Sequence, residues 1–259
     1  MKLQGNIVVV TGGLSGLGAA TVNLLHEAGA SVAVVDLGKL KEKSSTVLPR
    51  TKYFTADITD SEMVEQAVKG IVSWSQSHRC SIIAVVCCAG LLGPEKLLSK
   101  DGKPTSLDNF KKVIDVSLIG TVDIVRQLLP SLTAQPRDED GARGLIITVS
   151  SAAAFDGQEG QCAYSAAKGA IASMTLPMAR DLSGHGIRVV CIAPGLFETA
   201  MTATMPQRAK LSLEKTLEFP TRAGRPQEFA KLVEHIIGNH MLNGTVLRLD
   251  GAARMPSRL

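Results

Sequence analysis

Short apolar runs rich in Val and Ile alternate along this chain with longer stretches whose apolar positions recur at helical spacing. The runs cover residues 7–10, 31–35, 53–56, 82–86, 145–149, 187–192 and 245–249. The longer stretches reach from the first glycine-rich turn to about 28, then cover 61–77, 107–132, 164–182 and 227–237. Runs this uniformly apolar suit parallel strands covered on both faces, because a strand with one wet face would alternate apolar with polar. Strand alternating with helix predicts an α/β domain. The seven runs therefore predict a seven-stranded parallel sheet with helices on both faces. A chain of 259 residues can enclose one such core undivided, so residues 1–259 read as a single domain.

The turn after the first run is Thr11-Gly12-Gly13-Leu14-Ser15-Gly16-Leu17-Gly18. Strand, glycine turn and helix in that order let the backbone approach a pyrophosphate, while the helix start offers free N–H groups and a positive dipole end. The second run ends in Asp36, about twenty residues on, where a carboxylate would accept hydrogen bonds from adenosine ribose hydroxyls and repel a 2′-phosphate. These features predict a Rossmann-type, doubly wound fold that binds NAD rather than NADP. Lys39, Lys41 and Lys43 are the counter-argument, although a lysine run on a loop is ordinarily a solvated surface screened by salt.

Candidate chemistry gathers in residues 151–168. Tyr164 and Lys168 stand four positions apart in Tyr-Ser-Ala-Ala-Lys, so a helix projects both from one face. A cation beside a phenol favours the phenolate and brings a group of pKa about 10 toward use as a proton donor and acceptor. Ser151 leaves the run 145–149 at the sheet's carboxyl edge, where its hydroxyl would orient a carbonyl or alcohol and steady developing negative charge. Tyr-x-x-x-Lys also recurs in helices by accident, so the surrounding motifs decide.

With the spacing Gly12, Gly16, Gly18 and the set Ser151, Tyr164, Lys168, the chain resembles the short-chain dehydrogenase/reductase family from about Gly5 to Met255. Four stretches are most similar to its type 2 3-hydroxyacyl-CoA dehydrogenases: the glycine turn, Ala-Ala-Phe-Asp-Gly-Gln-Glu-Gly-Gln, Ile-Ala-Pro-Gly-Leu-Phe-Glu-Thr and Asn-Gly-Thr-Val-Leu-Arg-Leu-Asp-Gly-Ala. The resemblance implies reversible hydride transfer between NAD and a secondary alcohol or ketone. It puts 3-hydroxyacyl-CoA first as substrate, within fatty acid metabolism, and hydroxysteroids or other apolar alcohols next. Cofactor contacts are implied from Gly12, Ser15, Gly16, Leu17, Gly18, Asp36, Asp57, Ile58, Cys88, Ala89, Gly90, Tyr164, Lys168, Pro194, Phe197 and Thr199. Ser151 and Tyr164 would meet the substrate, and Lys168 would grip the nicotinamide ribose.

Two positions depart from the family pattern. Cys87 replaces an asparagine that stabilises the sheet, and Ser117 replaces the asparagine that holds a water linking the active lysine to solvent. A serine has fewer groups and shorter reach, so the proton relay through Ser117 is the main doubt about turnover. A weakly active scaffold subunit on the same fold is the alternative reading.

Elsewhere the signals are softer. Asp57 also suits a helix cap ahead of the helical stretch from 61. Two loops, about 91–106 and 199–220, read as substrate loops; Lys96, Lys100 and Lys103 in the first would meet the phosphates of coenzyme A or simply be solvated. The second, rich in Met and Thr, suits a lid. Pro177 should bend or locally unwind its helix. Small residues Ala166, Ala167, Gly169 and Ala170 suit subunit contacts, and the resemblance implies a homotetramer.

Composition excludes more than it selects. A net charge of +4 with 3% aromatics gives no stacking platform for nucleic acid. Five cysteines without paired spacing read as reduced, mostly buried thiols, and the histidines lack metal-ligand spacing. No apolar run reaches membrane-spanning length, and the early first strand leaves little room for a presequence. The closing Ser257-Arg258-Leu259 resembles a peroxisomal or glycosomal address, whereas the family resemblance implies mitochondria.

Overall fold

The computed structural model describes residues 1–38, 48–203, 205 and 207–257. Lys39, Lys41 and Lys43, and the closing Arg258-Leu259, lie outside them. Seven strands form one parallel sheet in the order β3-β2-β1-β4-β5-β6-β7. They are β1 (Ile7–Thr11), β2 (Ser31–Asp36), β3 (Thr51–Thr55), β4 (Ile82–Cys87), β5 (Gly144–Val149), β6 (Ile187–Pro194) and β7 (Thr245–Leu249). The helices are α1 (Gly16–Glu27), α2 (Ser61–His78), α3 (Leu107–Ile114), α4 (Gly120–Thr133), α5 (Cys162–Ser183), α6 (Ala200–Ala203), α7 (Gln207–Glu214) and α8 (Pro226–Gly238).

Successive side chains of a strand face opposite ways, and β1 shows what that does here. Ile7 and Val9 enter a core layer with Val64 and Ile71 of α2 and Ile124 and Leu128 of α4. Val8 and Val10 enter the opposite layer with Val22 and Leu25 of α1 and Phe229 and Val233 of α8. Both faces of the inner strands β1, β4, β5 and β6 are therefore dry, as the uniform apolar runs predict, whereas the edge strands β3 and β7 are only partly covered. β1 pairs with β2 on one side and β4 on the other, so the winding direction reverses between β1 and β4. A doubly wound sheet opens its ligand crevice at the strand carboxyl ends beside such a reversal.

Three local expectations change. The predicted continuous helix over 107–132 is interrupted by a π-helical turn, Asp115–Ile119, between α3 and α4. Periodicity could not show this, because one extra residue in the ladder leaves the apolar spacing nearly intact. α5 runs unbroken through Pro177, without the expected local unwinding. Its buried residues Ile171, Thr175 and Ala179 lie on both sides of the proline, and that packing holds it against the sheet. The cap of α2 is Asp60, whose carboxylate accepts from the Glu62 and Met63 N–H groups, so Asp57 is not the cap.

Candidate active site

At the reversal point a cleft of 760 Å³ opens over the carboxyl ends of β1, β2 and β4. Gly12, Ser15, Gly16, Leu17, Gly18, Asp36, Asp57, Ile58, Cys88, Ala89, Gly90 and Thr199 all line it. The glycines are sterically required. Gly12 has φ +66°, and a Cβ on it would lie 2.8 Å from Ala89 N; a Cβ on Gly18 would overlap the Gly12 carbonyl. Backbone packed this closely leaves the start of α1 open to a phosphate group.

Asp36 fastens the turn it faces. Its Oδ2 accepts from Leu14 N–H and its Oδ1 from Gly38 N–H, each at 3.0 Å, which leaves lone pairs on both oxygens for ribose hydroxyls. Asp57 accepts at Oδ1 from the Thr59 N–H and hydroxyl. These bonds hold its carboxyl below the usual range, and Lys112 adds to the effect.

A second cavity of 170 Å³ adjoins the first, with Leu17, Cys88, Gly90, Thr199 and Met201 lining both. Ser151, Tyr164 and Lys168 line this smaller space together with Pro194 and Phe197. Ser151 sits in extended backbone just before a short 3₁₀ turn, Ala152–Ala154, and accepts from Ala153 N–H at 3.1 Å. One helical turn separates Tyr164 and Lys168 on α5, and the Lys168 Nζ stands 5.9 Å from the phenol ring centroid. Lys168 is 4% exposed and donates to the Val149 carbonyl at 2.7 Å. A Cβ on Gly90 would sit 3.3 Å from that ammonium.

The electrostatics differ from the sequence expectation. Burial pushes the Tyr164 phenol up, and the influence pulling it down is the Ser151 hydroxyl rather than Lys168. Burial also lowers Lys168 to about 8, against the thiols of Cys191, Cys88 and Cys87 acting the other way. Desolvation disfavours charge on either group and is the largest cause of both shifts.

Ser117 is the site residue that the fold sets apart. Fully buried in the π-helical turn, it lines neither cavity. Its Oγ accepts from Leu91 N–H at 3.1 Å, fastening the start of the 91–106 loop. Cys87 is a buried core residue of β4 whose thiol burial pushes up. The cysteines are less uniformly buried than expected: Cys87 and Cys191 are buried, Cys80 and Cys88 intermediate and Cys162 exposed. Lys96 pairs with Glu159 and Lys103 with Asp101, and neither they nor Lys100 line the two cavities.

The family profile of short chain dehydrogenases matches residues 6–210. The chain belongs to the short-chain dehydrogenase family. This dehydrogenase is 41% identical over 257 residues to the 3-hydroxyacyl-CoA dehydrogenase type-2 of Homo sapiens, covering 98% of this chain and 97% of that one. It is 40% identical over 256 residues to the protein of the same description from Drosophila melanogaster, with 98% and 99% covered. A crystal structure of 3-hydroxyacyl-CoA dehydrogenase type-2 from Mycobacterium avium superposes with TM-score 0.88 at 33% identity, covering 98% and 97%.

Some walls of this dehydrogenase's smaller cavity escape sequence reading. Gln158, Gln161, Ala253 and Met255 line it from two separated segments, whereas Leu213 and Leu217 come from the expected 199–220 substrate loop. In the larger cleft Asp108, Lys111, Lys112 and Asp115 join the lining. The helical charge pattern of α3 gave no sign that its last turn faces a ligand cleft. Among the described residues no group of His, Cys, Asp or Glu is placed to hold a metal ion, and no helix is long and apolar enough to cross a membrane.

Proposed function

We propose that this dehydrogenase interconverts a secondary alcohol and a ketone with NAD(H), and that its substrate is a 3-hydroxyacyl-CoA/3-oxoacyl-CoA pair. The observation that carries the reaction is the convergence of Ser151, Tyr164 and Lys168 in the smaller cavity that adjoins the cleft. The larger cleft would hold NAD, with the start of α1 taking its pyrophosphate and Asp36 its adenosine ribose; bound there, it would supply the hydride acceptor. Lys168 would hold the nicotinamide ribose. Tyr164 takes the hydroxyl proton in oxidation and returns it in reduction, while Ser151 donates a hydrogen bond to the substrate oxygen. The preference for NAD over NADP rests on Asp36, whose carboxylate would face a 2′-phosphate across the cleft.

The acyl-CoA substrate rests on the likeness to the type-2 enzymes across nearly the whole chain. The apolar far wall, with Leu213, Leu217, Met205 and Met255, equally suits hydroxysteroids and other apolar alcohols. Absorbance at 340 nm on mixing the protein with acetoacetyl-CoA and NADH tests the proposal, with NADPH and a panel of ketosteroids as comparisons. Turnover of ketosteroids alone would replace the acyl-CoA reading. Tight NADH binding without turnover of any ketone would favour a scaffold subunit.

Assembly and address complete the proposal. A homotetramer is supported by exposed apolar Leu107, Ile119, Val122 and Leu176 on and between α3, α4 and α5, and light scattering at the monomer mass would remove it. A peroxisomal or glycosomal address rests on Ser257-Arg258-Leu259. A fluorescent fusion that reaches mitochondria whether or not it carries that tripeptide would overturn it.

A further inference from the structure

None of the chemistry above uses Arg248, yet its guanidinium reaches two segments that border the smaller cavity and, through Asp250, a third. Nε donates to Asp250 Oδ2 at 2.6 Å, and one terminal nitrogen donates both to Asp156 Oδ2 at 2.5 Å and to the Ala253 carbonyl at 3.1 Å. The same group stands 5.2 Å from the Phe155 ring centroid. Its partners are sheltered: the Asp156 and Asp250 side chains are 18% and 7% exposed. Ion pairs withdrawn from water in this way are screened less than surface pairs, and a forked guanidinium holds several partners at fixed angles.

Each partner bears on the reacting atoms. Phe155 and Asp156 close the turn that begins at Ser151. Asp250 backs the 194–199 turn so tightly that a Cβ on Gly195 would lie 2.8 Å from the Asp250 Cβ. Ala253 is itself a cavity wall. Beyond it, Gln158 Nε2 donates to the Pro256 carbonyl and Glu159 N–H to the Ser257 carbonyl, so the carboxyl-terminal residues are stitched to the loop that follows Ser151.

We propose that Arg248 is a positioning residue that sets the Ser151 turn, the Pro194–Gly195 turn and the carboxyl-terminal wall in one register, and so fixes the ketone oxygen against the hydride site. The inference rests on the dehydrogenase reading above. Arg248 lines neither cavity; it acts through the segments it joins. Arg248→Lys keeps the charge and removes the fork, and Asp156→Asn removes the charge pairing to the Ser151 turn alone.

Both variants and their double are to be compared with the intact protein in the acetoacetyl-CoA and NADH assay, in an NADH fluorescence titration and by amide hydrogen exchange. Each single change should lower kcat/KM for the ketone about 10- to 100-fold, the scale on which small misplacement of reacting groups acts. NADH affinity should stay within about twofold, and the double variant should fall little beyond Arg248→Lys, since both changes break one contact. Peptides 151–161 and 251–257 should lose exchange protection together. Additive losses, unchanged protection of 151–161, or NADH affinity falling in step with turnover would overturn the positioning role. An intact protein without ketone turnover would instead overturn the dehydrogenase reading, with the exchange data still deciding whether Arg248 holds these segments in register.

Discussion

Lys168 Nζ and the Val149 carbonyl are joined by a 2.7 Å hydrogen bond, which ties the cation of α5 to the last residue of β5. Ser151 follows two residues later, and the Ser150 hydroxyl bonds back to the Lys168 carbonyl at 2.6 Å. Strand end and helix are thus clamped in both directions, and the clamp sets the spacing of the hydroxyl, phenol and ammonium. Such preorganisation is what electrostatic stabilisation of a developing charge requires.

Tyr164→Phe removes the proton carrier and leaves the ring that packs beside Val113 and Ala167. Turnover of acetoacetyl-CoA followed at 340 nm should fall about 10²- to 10⁴-fold, the usual contribution of a positioned acid–base group. NADH affinity by fluorescence should be unchanged. Retained turnover would place the proton transfer elsewhere.

Asp36→Ser removes the carboxylate that would repel a 2′-phosphate and also loosens the Leu14 and Gly38 anchors. The ratio of kcat/KM for NADH over NADPH should drop at least about tenfold, or about 1.4 kcal/mol. A ratio that does not move would shift the discrimination to other residues of the cleft.

Gly18→Ala forces a methyl group onto the Gly12 carbonyl. A fixed turn cannot yield to it without strain, so a loss of about 1–3 kcal/mol in urea unfolding is expected. Nucleotide binding should fail as well, because the same turn forms the floor of the larger cleft. Wild-type stability with wild-type NADH affinity would contradict this.

Burial holds Lys168 at about 8, below its ordinary 10.5. Between those values the unfolded chain carries a proton that the folded chain has shed, so this group adds stability as pH rises through the window. Below about 8 both states are protonated and the contribution is constant and at its least favourable. Urea midpoints of the cofactor-free protein should therefore climb, relative to Lys168→Met, from about pH 8 toward pH 10. A difference that stays flat with pH would refute it.

Ser117→Ala deletes the hydroxyl that meets Leu91 N–H in a fully buried position. Leaving that backbone donor unpaired should cost about 1–3 kcal/mol and raise KM for the ketone through the loosened 91–106 loop. If instead the pH profile of turnover changes and KM does not, Ser117 belongs to the proton relay after all.

The covalent order of residues determined more than the fold class. Uniform apolar runs such as 82–86 can be dry on both faces only inside a covered parallel sheet, and Gly12 and Gly18 after β1 can serve as they do only beneath a closely approaching backbone, while Gly16 takes a positive φ. Four-residue spacing alone put Tyr164 and Lys168 on one helix face. What the sequence could not carry was any quantity that depends on surroundings. Whether burial or attraction governs the Tyr164 phenol, whether Ser117 faces the cavity or the Leu91 backbone, and which distant residues wall the substrate space were decided by tertiary packing. The reason is physical: desolvation, and contacts such as Arg248 with Asp156, join groups far apart along the chain, and periodicity registers only neighbours.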